Sequence, residues 1–504
     1  MTQKDDPKPI ESNALVKRTS KGLMTNKGRR SQISLTSDII KAAAIARTSS
    51  QALVDESWMQ EIWDWADNYE LPEDVIPRNG VDLLALENLS IFGDDIDFLP
   101  ENIGNLINLT SLEISATKLI SLPESISNLV NLTHLDINYS DFTSLPENIG
   151  NLINLELLKA THNKLNSLPE SIGNLSNLEE LHVNHNNLML LPESIGSLVN
   201  LKKLHVHRNI ITSLPEGVGK LYNLESLTAG SNKIISLPES IGNLSKLEIL
   251  KVNVFHHYRL TKTIENSKAS KSAYVKSNNI TSLPESIGSL VSLKELNVEG
   301  NNLTLLPESI GGLVNLKGLN VVGNNLTSLP ESIGSLSSLN SLCVRDNKLT
   351  SLPKSIGDLV NLKGLSASIN KLTSLPESIG ELSNLKSLSL GSNSLTSLPE
   401  SIGNLINLEI FNIDNNNLTS LPESTGNLSN VESIDLSNNN FTSLPESIES
   451  LINLQSIIID YSEFTSLPES VGNLSNLSYI SIVDTNITSL PQTIDKTKVH
   501  IYRE

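Results

Sequence analysis

A chain of 504 residues ordinarily divides into several compact domains, but only 4% of these are aromatic and the formal net charge is −19, which argues against several large aromatic-rich cores. Leu, Ser and Asn recur in near-identical phrases, so the core expected is a stack of many small aliphatic layers. No stretch approaches the eighteen apolar residues of a membrane span, and the one cysteine, Cys343, excludes an intrachain disulfide.

The chain opens on a different composition. Residues 1–56 carry ten Lys or Arg against six acids, with many Ser and Thr, and little hydrophobic periodicity beyond a short helix around Asp38 to Arg47. They read as a basic, mostly disordered tail. The cluster Lys27, Arg29 and Arg30 beside Ser31 fits a solvated linker, with a phosphorylation, secretion or acidic-surface signal as the alternative. No apolar h-region of a standard secretory signal is present. Residues 57–81 hold all three tryptophans, and Trp58, Ile62, Trp65 and Tyr69 fall on one helical face. That spacing predicts a helical N-terminal cap over the apolar end of a repeat stack.

From residue 82 to 494 the sequence repeats. The Leu-Pro proline stands at Pro100, Pro123, Pro146, Pro169, Pro192, Pro215 and Pro238, then at Pro284 and every 23 residues to Pro491. The gap from Pro238 to Pro284 equals two periods, which gives about eighteen registers, one of them degraded at 255–277. In a typical register Leu316, Leu319, Val321, Asn324, Leu326 and Leu329 occupy the spacing L-x-x-L-x-L-x-x-N-x-L, followed by Pro330-Glu331-Ser332-Ile333-Gly334. Leu319 and Val321 are expected to point inward from a short strand, and Asn320 and Val322 outward. The Asn324 column should satisfy backbone groups where the chain leaves the strand. The Pro-Glu-Ser-Ile-Gly phrase suits a short helical turn, its glutamates forming a solvated, solubilising edge.

The phrase LPESIGNLxNLxxLxV resembles the Ras-group and disease-resistance type of leucine-rich repeat, found in intracellular scaffolds and many bacterial proteins. The resemblance implies an α/β solenoid: a leucine-rich repeat horseshoe with a parallel concave sheet and short helical turns on the convex side. It also implies protein-protein recognition, commonly in signalling or host interaction, and it says little more about function. Residues 495–504 are read as a C-terminal end, and the ubiquitin ligase domain of some bacterial effectors that carry similar repeats is not expected.

The outward positions ten, eight and seven residues before each Leu-Pro proline sample the concave face. Three consecutive registers place Lys159, Thr161 and His162, then His182, Asn184 and His185, then His205, His207 and Arg208. Lys251, Tyr274 and Lys276 continue the patch, and eighteen successive sampled positions hold no acid. Later registers present Glu299, Asp346, Asp414, Asp435, Asp460 and Asp484, so the face is expected to be basic in the middle and acidic toward the C-terminal end. The expected partner is a protein with an acidic or phosphorylated segment, docking at Lys159, His162, His182, His185, His205, His207, Arg208, Lys251, Tyr274 and Lys276. Its affinity should rise as the histidines protonate below about pH 6.5.

The alternative is a metal-binding sensor or metal-dependent enzyme using the same histidines, although no ligand spacing insists on a metal and the sampled positions of the patch offer no carboxylate as a general base. No nucleotide, zincin or paired-cysteine motif is present, so no enzyme activity and no cofactor are expected. Nucleic acid is a poor candidate for an acidic chain with little aromatic interleaving. The protein is expected to be a cytoplasmic monomer without a membrane span, with a secreted effector lacking a standard signal peptide as the alternative location. The degraded register, with Phe255 in the asparagine column and Ser267, Ser270 and Ala273 in core columns, is expected to be a local weak point.

Overall fold

The computed structural model describes residues 56–253, 278–495 and 497–503, which fall into two units dividing between Leu86 and Glu87. The first contains helix α1 (Ser57–Asn68) and the short α2 (Gly80–Leu84). Met59, Ile62, Trp65 and Ala66 are the buried residues of α1, and Trp65 meets Tyr69 edge-to-face at 5.9 Å. Of the apolar face expected from the tryptophan spacing, Ile62 and Trp65 are buried, whereas Trp58 and Tyr69 are half-buried and Met59 and Ala66 complete the buried side. The Trp63 indole donates to the Pro77 carbonyl at 2.8 Å and Arg78 pairs with Asp67 at 2.6 Å, which ties the following segment back onto α1.

The second unit is one open parallel sheet of eighteen strands in chain order, from β1 (Asn88–Phe92) and β2 (Ser111–Ser115) to β18 (His500–Tyr502). Every strand after β2 is three residues long. Identical core columns make the pairing exact in register: Leu135, Leu158, Leu181 and Leu204 stand side by side on β3 (His134–Asp136), β4 (Leu157–Lys159), β5 (Glu180–His182) and β6 (Lys203–His205). A slip of one residue would turn this leucine row toward water, so the repeat specifies its own register.

Between successive strands each coil up to β17 makes a single short 3₁₀ turn, such as Glu170–Asn174, whose Ile172 is buried. Pro169 caps the turn from outside with extended backbone rather than sitting in its first turn. The glycine of the phrase is there for space: a Cβ on Gly173 would overlap the Ser194 carbonyl of the next coil.

Two polar columns knit the coils. The Asn324 amide donates to the carbonyls of Val298 and Val321, both at 3.0 Å, and its oxygen accepts from the Leu303 N–H at 3.0 Å. Asn186, Asn209, Asn347 and Asn439 repeat that pattern, so the column is the buried amide ladder expected. The glutamate column departs from expectation. Glu193 accepts from the Gly217 N–H and Glu331 from the Ser355 N–H, both at 3.0 Å, and these bonds hold the Glu331 carboxyl below the usual range. Each such glutamate satisfies an amide at the start of the next coil's turn, so the column is a structural cap as well as a charged edge.

The sheet handles the degraded register in an unexpected way. β8 (Ile249–Lys251) pairs directly with β9 (Glu295–Asn297), with Leu250 opposite Leu296. No strand intervenes among the described residues, although two periods separate them. Asn278 completes the rung, donating to the carbonyls of Ala229 and Val252 at 3.0 and 3.1 Å while accepting from the Ile234 N–H at 3.0 Å. The coil that starts on β8 is thus finished by residues after 277, and the sheet advances one coil where the sequence advances two.

Candidate functional site

The solvent side of β3 to β7 (Ser226–Thr228) carries the histidine-rich patch. Its geometry starts from the backbone. Tyr139, His162, His185, Arg208 and Ser231 follow one another at 23-residue steps, and all have left-handed φ between 52° and 57°. This column marks where each chain leaves its strand, so its side chains line the rim of the sheet and superpose coil upon coil. Tyr139 stacks on His162 with ring centroids 4.3 Å apart, and His162 on His185 at 3.9 Å, each pair 17° from parallel. His185 then meets His207 edge-to-face at 5.4 Å.

A second row runs through the strands. His182 and His205 lie opposite each other in register, with ring centroids 4.4 Å apart, and His205 is 6.4 Å from His207. The five histidines expected to be neighbours are brought together as one continuous array, to which Tyr139 adds a sixth ring. Lys159, Arg208 and Lys251 flank it on β4, after β6 and on β8. Tyr274 and Lys276 lie outside the described residues.

The electrostatics differ from expectation. Burial pushes the His205 imidazole down to about 4, with His182 adding to the effect. His207 falls to about 3, again by burial first, with His185, His205 and Arg208 adding to it. His182 is lowered by burial despite the pull of Glu180. The His205 and His207 imidazoles are neutral well below pH 6.5, so the expected gain of charge just below that pH does not occur on those two. Packing side by side on a protein surface withholds the water that a charged ring needs.

The patch also contains acids. The sampled positions omitted the strand residue twelve before each proline, which faces the same side and holds Glu180. His182 Nε2 donates to Glu180 at 3.0 Å and Lys203 pairs with it at 2.8 Å; burial raises this carboxyl, but the two hydrogen bonds outweigh it and hold it below its ordinary range. Lys159 pairs with Asp136 at 3.7 Å and Lys251 with Glu295 at 3.0 Å. Burial nevertheless raises the Asp136 carboxyl against the pull of Lys159. The middle of the face is a near-neutral array of rings and paired charges rather than a bare basic patch.

Toward the C-terminal end the acids expected there do gather. Burial raises the Asp435 carboxyl, and the neighbouring Asp414 and Asp460 charges add to it. Among the described residues no group of three His, Cys, Asp or Glu side chains is arranged to hold a metal, and no helix is long and apolar enough to cross a membrane. Burial raises the Cys343 thiol, the opposite of what a nucleophile needs.

The descriptions "Leucine-rich repeat region" and "Leucine rich repeat" belong to the two family models that match, the first over residues 78–269 and 309–496 in overlapping segments and the second over 274–326. A leucine-rich repeat protein of Leptospira interrogans is 30% identical, with 84% of this chain and 98% of that one covered at a TM-score of 0.65. The plant peptide hormone receptor RGFR1, solved in complex with RGF2, is 26% identical over 83% of this chain and 74% of its own, at a TM-score of 0.59. The Toll receptor of Drosophila in its Spätzle complex shares the fold at 21% identity, 80% and 54% coverage and a TM-score of 0.66. No curated protein matches the chain. The repeat phrase, the open in-register sheet, the amide ladder and the matches over most of the described coils agree, and the chain belongs to the leucine-rich repeat family.

Proposed function

We propose that this protein is a non-catalytic interaction scaffold that takes a protein partner on the solvent face of β3 to β7. One observation carries the reading: the continuous array of Tyr139, His162, His185, His207, His205 and His182, six rings held on one face by backbone repetition. Ring-rich surfaces with polar edges supply large contact area at low entropic cost and hydrogen-bond on all sides. That a similar plant receptor was solved in complex with RGF2 supports a binding role for this chain.

The partner's segment meets this face mainly through stacking and hydrogen bonds. Capture of an acidic or phosphorylated segment by charge would have to draw on Lys159, Lys203 and Lys251, which already pair with Asp136, Glu180 and Glu295. A chain with one cysteine suits a reducing compartment, so we assign the protein to the cytoplasm, as a monomeric scaffold of the 23-residue Ras-group type in signalling or host-microbe interaction.

The test is affinity capture at pH 7.5 with the wild type and with a variant carrying His182→Ala, His185→Ala, His205→Ala and His207→Ala. A partner retained by wild type and lost by the folded variant supports the reading. Identical captures by both would overturn it.

A further inference from the structure

The ring stack has two different ends. At one, His185 is followed in its column by Arg208 and flanked by His207. At the other, Tyr139 is followed by Ala116, which has the same left-handed backbone, φ 56° against 53°, and only a methyl group to offer. Tyr139 is 61% exposed. His162 covers one face of Tyr139 at 4.3 Å, and on the other side the same column offers, among the described residues, only the exposed methyl of Ala116, which leaves a shallow slot over it.

On the strands beside this slot the charge is one-sided, although the exposed Lys118 follows Ala116 by two residues. β1, β2 and β3 carry Glu113 and Asp136 on their solvent side and no Lys or Arg. Glu113 stands in register beside Asp136, which stands beside Lys159. Of the two carboxylates only Asp136 has an ammonium beside it. Glu113 accepts from the Ser90 hydroxyl at 3.3 Å and joins no ion pair among the described residues. Asp136 also accepts from Asn138, and Lys159 sits 3.7 Å away on its far side.

We propose that the slot over Ala116 receives an arginine side chain of the protein partner, its guanidinium continuing the stack on Tyr139 and facing Glu113. A planar cation matches both features at once: it stacks as the imidazoles do, and it supplies the charge that the Glu113–Asp136–Lys159 row lacks. A lysine cannot stack, and a neutral ring leaves the row uncompensated. This inference rests on the reading of the sheet face as a protein-binding surface, and adds the chemistry of one anchor to it.

The experiment uses the full chain labelled with fluorotyrosine, whose Tyr139 resonance is identified among the eight tyrosines by its absence in Tyr139→Phe. Three probes are titrated by fluorine NMR: N-acetyl-arginine amide, its neutral planar isostere N-acetyl-citrulline amide, and N-acetyl-tryptophan amide. Arginine amide is expected to move the Tyr139 resonance with an affinity about threefold or more above that of citrulline amide. Ala116→Tyr, which fills the slot from within the chain on a backbone already suited to tyrosine, is expected to abolish the response. Glu113→Gln, a conservative surface change, is expected to bring arginine down to the citrulline level. Equal responses to arginine and citrulline, tightest binding of the tryptophan amide, or an arginine response that survives both variants would overturn the proposal. None of these readouts involves the four histidines, so partner capture lost in the histidine variant stands whatever the slot does.

Discussion

At the residue scale the histidines decide how the face behaves with pH. Their crowding was legible: His182 and His205 share a column, and His205 and His207 share a strand face, so neighbours were certain once the period was known. Their protonation was not legible, because burial depends on the rings of adjacent coils. Glu180 was missed because its position, two residues before His182, was left out of the sampled columns; strand alternation alone would have found it. The sign of the pH effect follows from the directions. His205 and His207 titrate at about 4 and about 3 in the fold, against about 6.5 in an unfolded chain. Between these values the unfolded chain binds more protons, so this contribution to stability is whole above about pH 6.5 and declines as the pH falls. Imidazole titrations by NMR should place both midpoints below 5, and the double variant His205→Gln, His207→Gln should lose less stability than wild type between pH 7 and pH 4.5 in denaturant unfolding. Midpoints near 6.5 would contradict the burial argument.

At the scale of the element, the 23-residue period gave strand, turn and amide ladder because each is fixed by local residue types. What it did not reveal were the bonds between coils. The glutamate after most of the prolines looked like a solvent-facing edge, yet Glu193, Glu331 and their counterparts accept amides of the following coil. A second amide row went unread as well: Asn131, Asn223 and Asn361 each donate to a carbonyl one coil back at 2.8 Å. The N-L phrase in nearly every register was its signal. The register around Thr261 shows the limit of counting, since the proline frame survives across two periods while β8 pairs with β9. Joining Asn253 to Ser277 would restore a 23-residue coil, with Ser277 in the left-handed position that Ser231 and Ser392 already occupy. Deletion of residues 254–276 is therefore expected to leave a folded protein, with circular dichroism unchanged and a thermal midpoint equal to or above that of the full chain. A deletion variant that aggregates or unfolds at lower temperature would show that these residues support the coil.

At the scale of the whole repeat array, charge and rings divide the sheet face along its length. β3 to β8 carry the rings and the paired charges, whereas Asp414, Asp435 and Asp460 form an acidic stretch further along. The sequence showed this division but overstated it, because the acids that pair with Lys159, Lys203 and Lys251 sit on other coils. A competing surface exists: Val130, Ile153, Val199 and Tyr222 form an exposed apolar row along the coil edge, one residue before the second amide row. Hydroxyl-radical footprinting of the full chain with its captured partner separates the two. Protection is expected at Tyr139, His162, His182, His185, His205 and His207, with the edge row unchanged. Protection of Val130, Ile153, Val199 and Tyr222 with the rings still reactive would contradict it.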